Sequence, residues 1–415
     1  MRPLSAVVAL ATFAPACIAS QESTPRTVPS GAHATAFAPE RLDRIDTVVN
    51  RLVTEGKIPG AVVMLVRDGK VAYHKAFGFR DLQTREPQAI SDIFRIASQT
   101  KAITSLAAMM LWEEGRFMLD EPVGKYIPAF RDQTVLTKFN QSDSTYEAKP
   151  ARRRTTIRQL FTHTSGLDYA DIGSDEFKAI YSKAGVTAMG RDGEVLADRI
   201  SALGRLPLRA EPGERFIYSL SSDVLGRLVE VVSGMPLDQF FRTRIFEPLG
   251  MRDTWFALPA DRRNRLVALH QETDGKLVAT HDGFADFPAR PVTYFSGGAG
   301  LSSTTADYAR FLQLFLNGGE LDGVRLLGRK TVELMLSNHV KDMQPAFGLG
   351  FALETPSNDF ESPVSVGSFS WGGAFKTSYW ADPRERLVGL IFTNMFGSSL
   401  ALAEQFQVLV YSALR

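Results

Sequence analysis

The chain has 415 residues, 44% of them hydrophobic and 22% charged, enough apolar material for one large or two closely packed globular units and too much for a disordered tail. Its 47 basic residues nearly cancel its 46 acidic ones, leaving a net charge of +1 and no long-range field that would gather phosphates or anionic lipid. Nucleic acid and membrane surfaces are therefore poor partners, and a neutral small molecule is the better expectation; the composition leaves the oligomeric state open.

Met1-Arg2-Pro3, an apolar run from Leu4 to Phe13 and small residues from Ala14 to Ser20 follow the order of a secretory signal. The apolar run is too short to cross a bilayer. We expect export to the periplasm or the medium, with a signal segment over 1–20. Cys17, the only cysteine, falls inside it, so the mature chain loses it or carries a lipid on it. Ala14-Pro15-Ala16 lacks the leucine usual before a lipidated cysteine, which favours loss, and no intrachain disulfide is possible. Residues 21–36 are rich in Ser, Thr, Pro and Gly and read as a linker, so folding starts near Phe37.

From Gly60, two β-rich runs flank Asp68-Gly69, the signal of a hairpin turn. Thr377 to Trp380 and Leu387 to Thr393 repeat the pattern around Asp382-Pro383-Arg384-Glu385. Strands at both ends predict one antiparallel sheet built from both. Between them the apolar spacing is helical over Ile103–Glu113, Ala197–Leu203, Asp223–Val232, Leu237–Phe246 and Asp307–Leu316, and a helix over Ala401–Leu414 closes the chain. Residues 131–154 are polar and irregular and read as a long surface loop. The expected fold is α+β: a sheet region over about 37–115 and 290–415, a mainly helical region over about 116–289, and a site in the cleft between them. We find no repeat and no transmembrane segment in the mature part.

Ser98-Gln99-Thr100-Lys101 leads straight into a helical run, where residues three apart share a face, so the Ser98 hydroxyl and the Lys101 amine can touch. A serine hydroxyl is a weak nucleophile until a base takes its proton, and a lysine serves once its surroundings disfavour its charge. At a helix start, free N–H groups also point towards an incoming oxyanion. No other lysine in the chain has a serine three places before it. Tyr218, followed by Ser219, stands where the Pro212-Gly213 turn gives way to a helix from about Ser221, and a tyrosinate beside a lysine can act as base or proton relay. Alone, such a tyrosine is more often a packing residue. Trp371-Gly372-Gly373-Ala374 precedes a strand expected near Phe375. Paired glycines let a backbone approach a ligand closely, and an N–H there can donate to an oxyanion.

In this order, Ser98-x-x-Lys101, Thr156-Ile-Arg-Gln-Leu-Phe-Thr-His163-Thr-Ser-Gly166-Leu, Tyr218-Ser219, Gly298 to Tyr308 and Trp371-Gly372-Gly373 resemble the landmarks of the β-lactamase-like serine hydrolases, over nearly the whole mature chain. The resemblance implies a β-lactamase/transpeptidase-like fold over 37–415 and an acyl-enzyme on Ser98. Lys101 and Tyr218 would manage the proton, and the N–H groups of Ser98 and Ala374 would form the oxyanion hole. Class C β-lactamases and many DD-peptidases carry Tyr-x-Asn and Lys-Thr-Gly where this chain has Tyr218-Ser219-Leu220 and Trp371-Gly372-Gly373. The amide and the charge that hold a β-lactam are both missing, and the chain is instead similar to family VIII carboxylesterases. The implied substrate is a small neutral ester, with Trp371, Gly372 and Gly373 binding it. Acyl transfer to an alcohol, DD-peptidase or weak β-lactamase action, and a silent binding protein are the alternatives.

Two near-matches read as structural: Lys376-Thr377-Ser378, placed inside the following strand, and Ser222-Asp223-Val224, which resembles Ser-Asp-Asn without the Asn. There is no Gly-x-Ser-x-Gly, so an α/β-hydrolase triad is not supported. His163 reads as a buried histidine bracing a turn. The six histidines show no pair at metal-ligand spacing, and neither metal nor cofactor is expected.

Overall fold

The computed structural model describes residues 37–191, 193–280 and 286–415; the expected signal segment and linker lie outside them. Folding begins with a helix the sequence reading left out, α1 (Pro39–Thr54), where proline fixes the first turn and Ile45, Val49 and Leu52 make a buried stripe. Strands β1 (Gly60–Arg67) and β2 (Lys70–Asp81) follow, and Asp68 and Gly69 between them take φ of 53° and 72°, the left-handed pair a tight hairpin needs. A short β3 (Glu86–Pro87) extends the edge. After the main helix α2 (Thr100–Glu113), the helical middle includes α3 (Ser221–Ser233), and α4 (Thr305–Leu316) leads back to the sheet. The chain ends with β4 (Ala352–Leu353), β5 (Phe369–Gly373), β6 (Thr377–Asp382), β7 (Leu387–Phe392) and α5 (Leu402–Ser412).

The seven strands run in the order β4-β5-β6-β7-β1-β2-β3, each antiparallel to its neighbours, so the last long strand pairs with the first. In β1 the two-residue period separates two cores. Ala61, Val63 and Leu65 face α1 and α5, with Ile45, Val49, Trp380, Phe406 and Val410. Val62, Met64 and Val66 join the larger core built on α2, α3 and α4. The expected two-ended sheet, with helices on both faces, is the fold observed. Among the described residues no helix is long and apolar enough to cross a membrane.

Several local expectations need correction. Residues 131–154 are not a loop: Thr134–Phe139 and Tyr146–Pro150 pair as a hairpin, and Leu136 donates to the Leu208 carbonyl. The whole second strand is exposed, so no apolar alternation marks it. Helices at Ile157–Phe161, Asp175–Lys183 and Arg329–Met335 also went unread. Trp371-Gly372-Gly373 does not precede a strand but ends one, β5, and the next strand starts at Thr377. Lys376 is in the turn between them at φ 58°, not in the strand, and its ammonium donates to the Leu400 carbonyl (3.2 Å).

Candidate active site

Phe94-Arg95 pairs with Ser302-Ser303, and the Ile96 N–H donates to the Leu301 carbonyl (3.1 Å), which fixes the chain just ahead of the serine. Ala97 then turns left-handed, φ 42°, a conformation that costs a non-glycine residue about 1 kcal/mol. A single 3₁₀ turn, Ala97–Gln99, carries the chain into α2 and leaves Ser98 half-buried at its front. Lys101, one turn on, is only 3% exposed. Its ammonium lies 3.2 Å from Ser98 Oγ and donates to the Gly298 carbonyl (2.7 Å) and the Tyr169 hydroxyl (3.4 Å).

Tyr218, just ahead of α3, places its hydroxyl 2.7 Å from Ser98 Oγ, and its ring faces the Lys101 ammonium at 4.7 Å. The three residues singled out by the sequence therefore meet on one oxygen. His163 is buried, as its sequence context predicts, but it braces the tyrosine: its ring packs 4.8 Å from that of Tyr218, and its Nδ1 accepts from the Ser219 N–H (3.3 Å). Burial, aided by the Lys101 charge, holds this imidazole well below its ordinary pKa, so it is a neutral brace and no competing base.

Two partners of Lys101 escaped the sequence reading. The Tyr169 ring stacks on Tyr218 at 5.4 Å, and burial pushes its phenol well above the ordinary value, so it remains a neutral hydroxyl. Asp168 accepts from the Tyr169 N–H (2.8 Å) and pairs with Arg209 (3.1 Å), fixing the turn that presents it. Tyr169 lies two residues beyond the Thr156 to Leu167 landmark, a signal that extending the landmark would have reached. Gly298 opens the fourth landmark, and its carbonyl is what that landmark contributes.

Trp371 lies 5.5 Å from the Tyr218 ring and 5.3 Å from Phe347, which in turn meets Phe216 at 5.3 Å. Trp371, Phe216 and Tyr218 are half-buried and form an uncharged aromatic wall beside the serine. Gly373 is needed where it stands: a Cβ there would fall 2.4 Å from the Ile96 carbonyl oxygen, so only glycine lets β5 press against the segment carrying Ser98. A Cβ on Gly372 would meet only the Thr377 carbonyl, at 3.3 Å. Ala374 is exposed in the following turn, and neither its N–H nor that of Ser98 donates to a described residue. Among the described residues no cluster of His, Cys, Asp or Glu is placed to hold a metal.

Residues 45–411 match the beta-lactamase family model. The chain belongs to the beta-lactamase family. This family member is 30% identical to Esterase EstB of Burkholderia gladioli over 373 residues, 85% of this chain and 90% of that one. It is 30% identical to lovastatin esterase of Penicillium rubens over 378 residues, covering 83% and 91%. The solved structure of EstCE1, a hydrolase with promiscuous acyltransferase activity, superposes with a TM-score of 0.76 at 27% identity, over 90% of this chain and 99% of that one. The first two of these relatives carry esterase names.

Proposed function

We propose that the protein is a serine hydrolase cleaving carboxylic esters of small molecules through an acyl-enzyme on Ser98. The observation that carries the reading is the shared Ser98 oxygen, within 2.7 Å of the Tyr218 hydroxyl and 3.2 Å of the Lys101 ammonium. Ser98 Oγ attacks the ester carbonyl carbon while its proton passes to the Lys101–Tyr218 couple. The N–H groups of Ser98 and Ala374 receive the oxyanion. The C–O bond to the alcohol breaks, and the couple returns the proton to the leaving alkoxide. Water then repeats the sequence on the acyl group, giving its proton to the couple, releasing the acid and restoring Ser98.

The uncharged wall of Trp371, Phe216 and Tyr218 suits a neutral, apolar ester better than the carboxylate of a β-lactam. Two relatives named as esterases support the same choice. Acyl transfer is the second reading, favoured by the described promiscuity of EstCE1, and needs only an alcohol in place of the second-step water.

The test compares turnover of p-nitrophenyl butyrate and nitrocefin by the purified protein and by Ser98→Ala. We expect ester turnover to fall by at least about 10³-fold in the variant, with little nitrocefin cleavage by either form. Efficient nitrocefin turnover, or ester turnover that survives the substitution, would overturn the reading. Ester exchange with added butanol would identify transferase action.

A further inference from the structure

We propose that Asp223 is a positioning residue of this site, whose buried carboxylate fixes the Gly298 peptide that holds Lys101 and supplies the negative charge facing that lysine. The inference rests on the reading of Ser98 and Lys101 as the reacting pair. Asp223, the third residue of α3, is 1% exposed. Its Oδ1 accepts from the Ser296 hydroxyl (2.6 Å) and the Gly298 N–H (3.2 Å). The other side of that glycine, its carbonyl, accepts from the Lys101 ammonium at 2.7 Å. One glycine, through the two peptide units that flank its α-carbon, thus joins the carboxylate to the lysine.

The packing leaves the unit no slack, because a Cβ on Gly298 would sit 2.4 Å from Asp223 Oδ2. That second oxygen accepts no hydrogen bond from a described residue. A buried carboxylate with half its acceptor capacity unused is costly unless a cation compensates it. The cation whose field reaches it is Lys101; burial pushes the Asp223 carboxyl up, and Ser296, Lys101 and the Gly298 N–H pull it back. The other groups facing it are Tyr169 and Tyr294, buried phenols held well above their ordinary values and so uncharged at working pH. Asp223 and Lys101 are therefore the acid and the base that face each other in this pocket. The Ser222-Asp223-Val224 string, structural by its sequence, is linked to Lys101 through one intervening residue, Gly298.

Asp223→Asn keeps an oxygen for Ser296 and Gly298 and removes the charge. Removing a negative charge beside the reacting groups favours their proton-free form, so the rising limb of kcat/KM against pH moves to lower pH. With p-nitrophenyl butyrate we expect a displacement of about 0.5–1 pH unit and a kcat lower by roughly 10- to 100-fold. Gly298→Ala drives the carboxylate off the peptide and should move the limb the same way, so it decides the matter if the first variant does not fold. A folded variant whose limb coincides with that of the unaltered protein, whatever its rate, overturns the proposal. Ester turnover surviving in Ser98→Ala would instead overturn the reading of the nucleophile.

Discussion

Two groups of different chemistry share the Ser98 hydroxyl, and they come from different parts of the chain. Lys101 arrives from the next helical turn, whereas Tyr218 arrives 120 residues later, held by the neutral His163 and by Trp371. Tyr218→Phe separates packing from proton transfer, because the ring contacts persist while the hydroxyl is lost. We expect kcat/KM on p-nitrophenyl butyrate to fall by about 10²–10⁴-fold with the melting temperature nearly unchanged. A variant that retains most of its activity would leave Lys101 to do the proton transfer alone. At this scale much of the site is legible, since Ser98 and Lys101 are helix neighbours and their spacing alone brings them together. The Tyr169 hydroxyl and the Gly298 carbonyl lie 68 and 197 residues from the lysine they contact, and no local pattern encodes those meetings.

Among the elements, α4 shows how a buried acid anchors a helix. Thr304 Oγ1 caps the Asp307 N–H (3.1 Å), and Asp307 Oδ2 accepts from the Asp253 N–H (2.7 Å) and the Thr254 hydroxyl (2.9 Å). Burial still pushes the Asp307 carboxyl up to about 6. Its folded value lies above the ordinary one, so the native state holds the proton more tightly than the unfolded chain does. The stability this supplies is present at about pH 4 and lost as the pH rises through 6. Ionising the group thereafter costs on the order of 2–3 kcal/mol. Asp307→Asn does not ionise, so its melting temperature relative to the parent should be more favourable at pH 7.5 than at pH 4.5; an unchanged difference would refute the account. The sequence announces elements that carry an apolar run or stripe, as in β1, buried on both faces, and in most long helices. It is silent at Tyr146–Pro150, whose five residues are all exposed and whose pairing follows from the partner strand. Ile45, Val49 and Leu52 in α1 stand at helical spacing, a stripe legible in the sequence.

Across the whole molecule, β1 is the common wall of both cores and has a partner on each side, whereas the Thr134–Pro150 hairpin buries only Val135 of its first strand and leaves its second strand wholly exposed. Amide hydrogen exchange should therefore be slowest in β1 and β7 and among the fastest in that hairpin, as mass spectrometry of peptic fragments would read out. Comparable protection in the two places would contradict this ranking of stability. The pairing of β1 with β7 also ties together parts of the chain made at different times, for Arg67 meets Glu385 318 residues further on. On the ribosome, β1 has one edge open until synthesis is nearly complete, the state in which strands mispair and seek help from chaperones. Ser98, the proposed nucleophile, is made early and Trp371–Gly373 late, so a nascent chain carries this serine without the aromatic wall beside it. On the proposed mechanism chemical competence is thus the last property the growing polypeptide acquires, and an unfinished copy that escapes quality control should be inert.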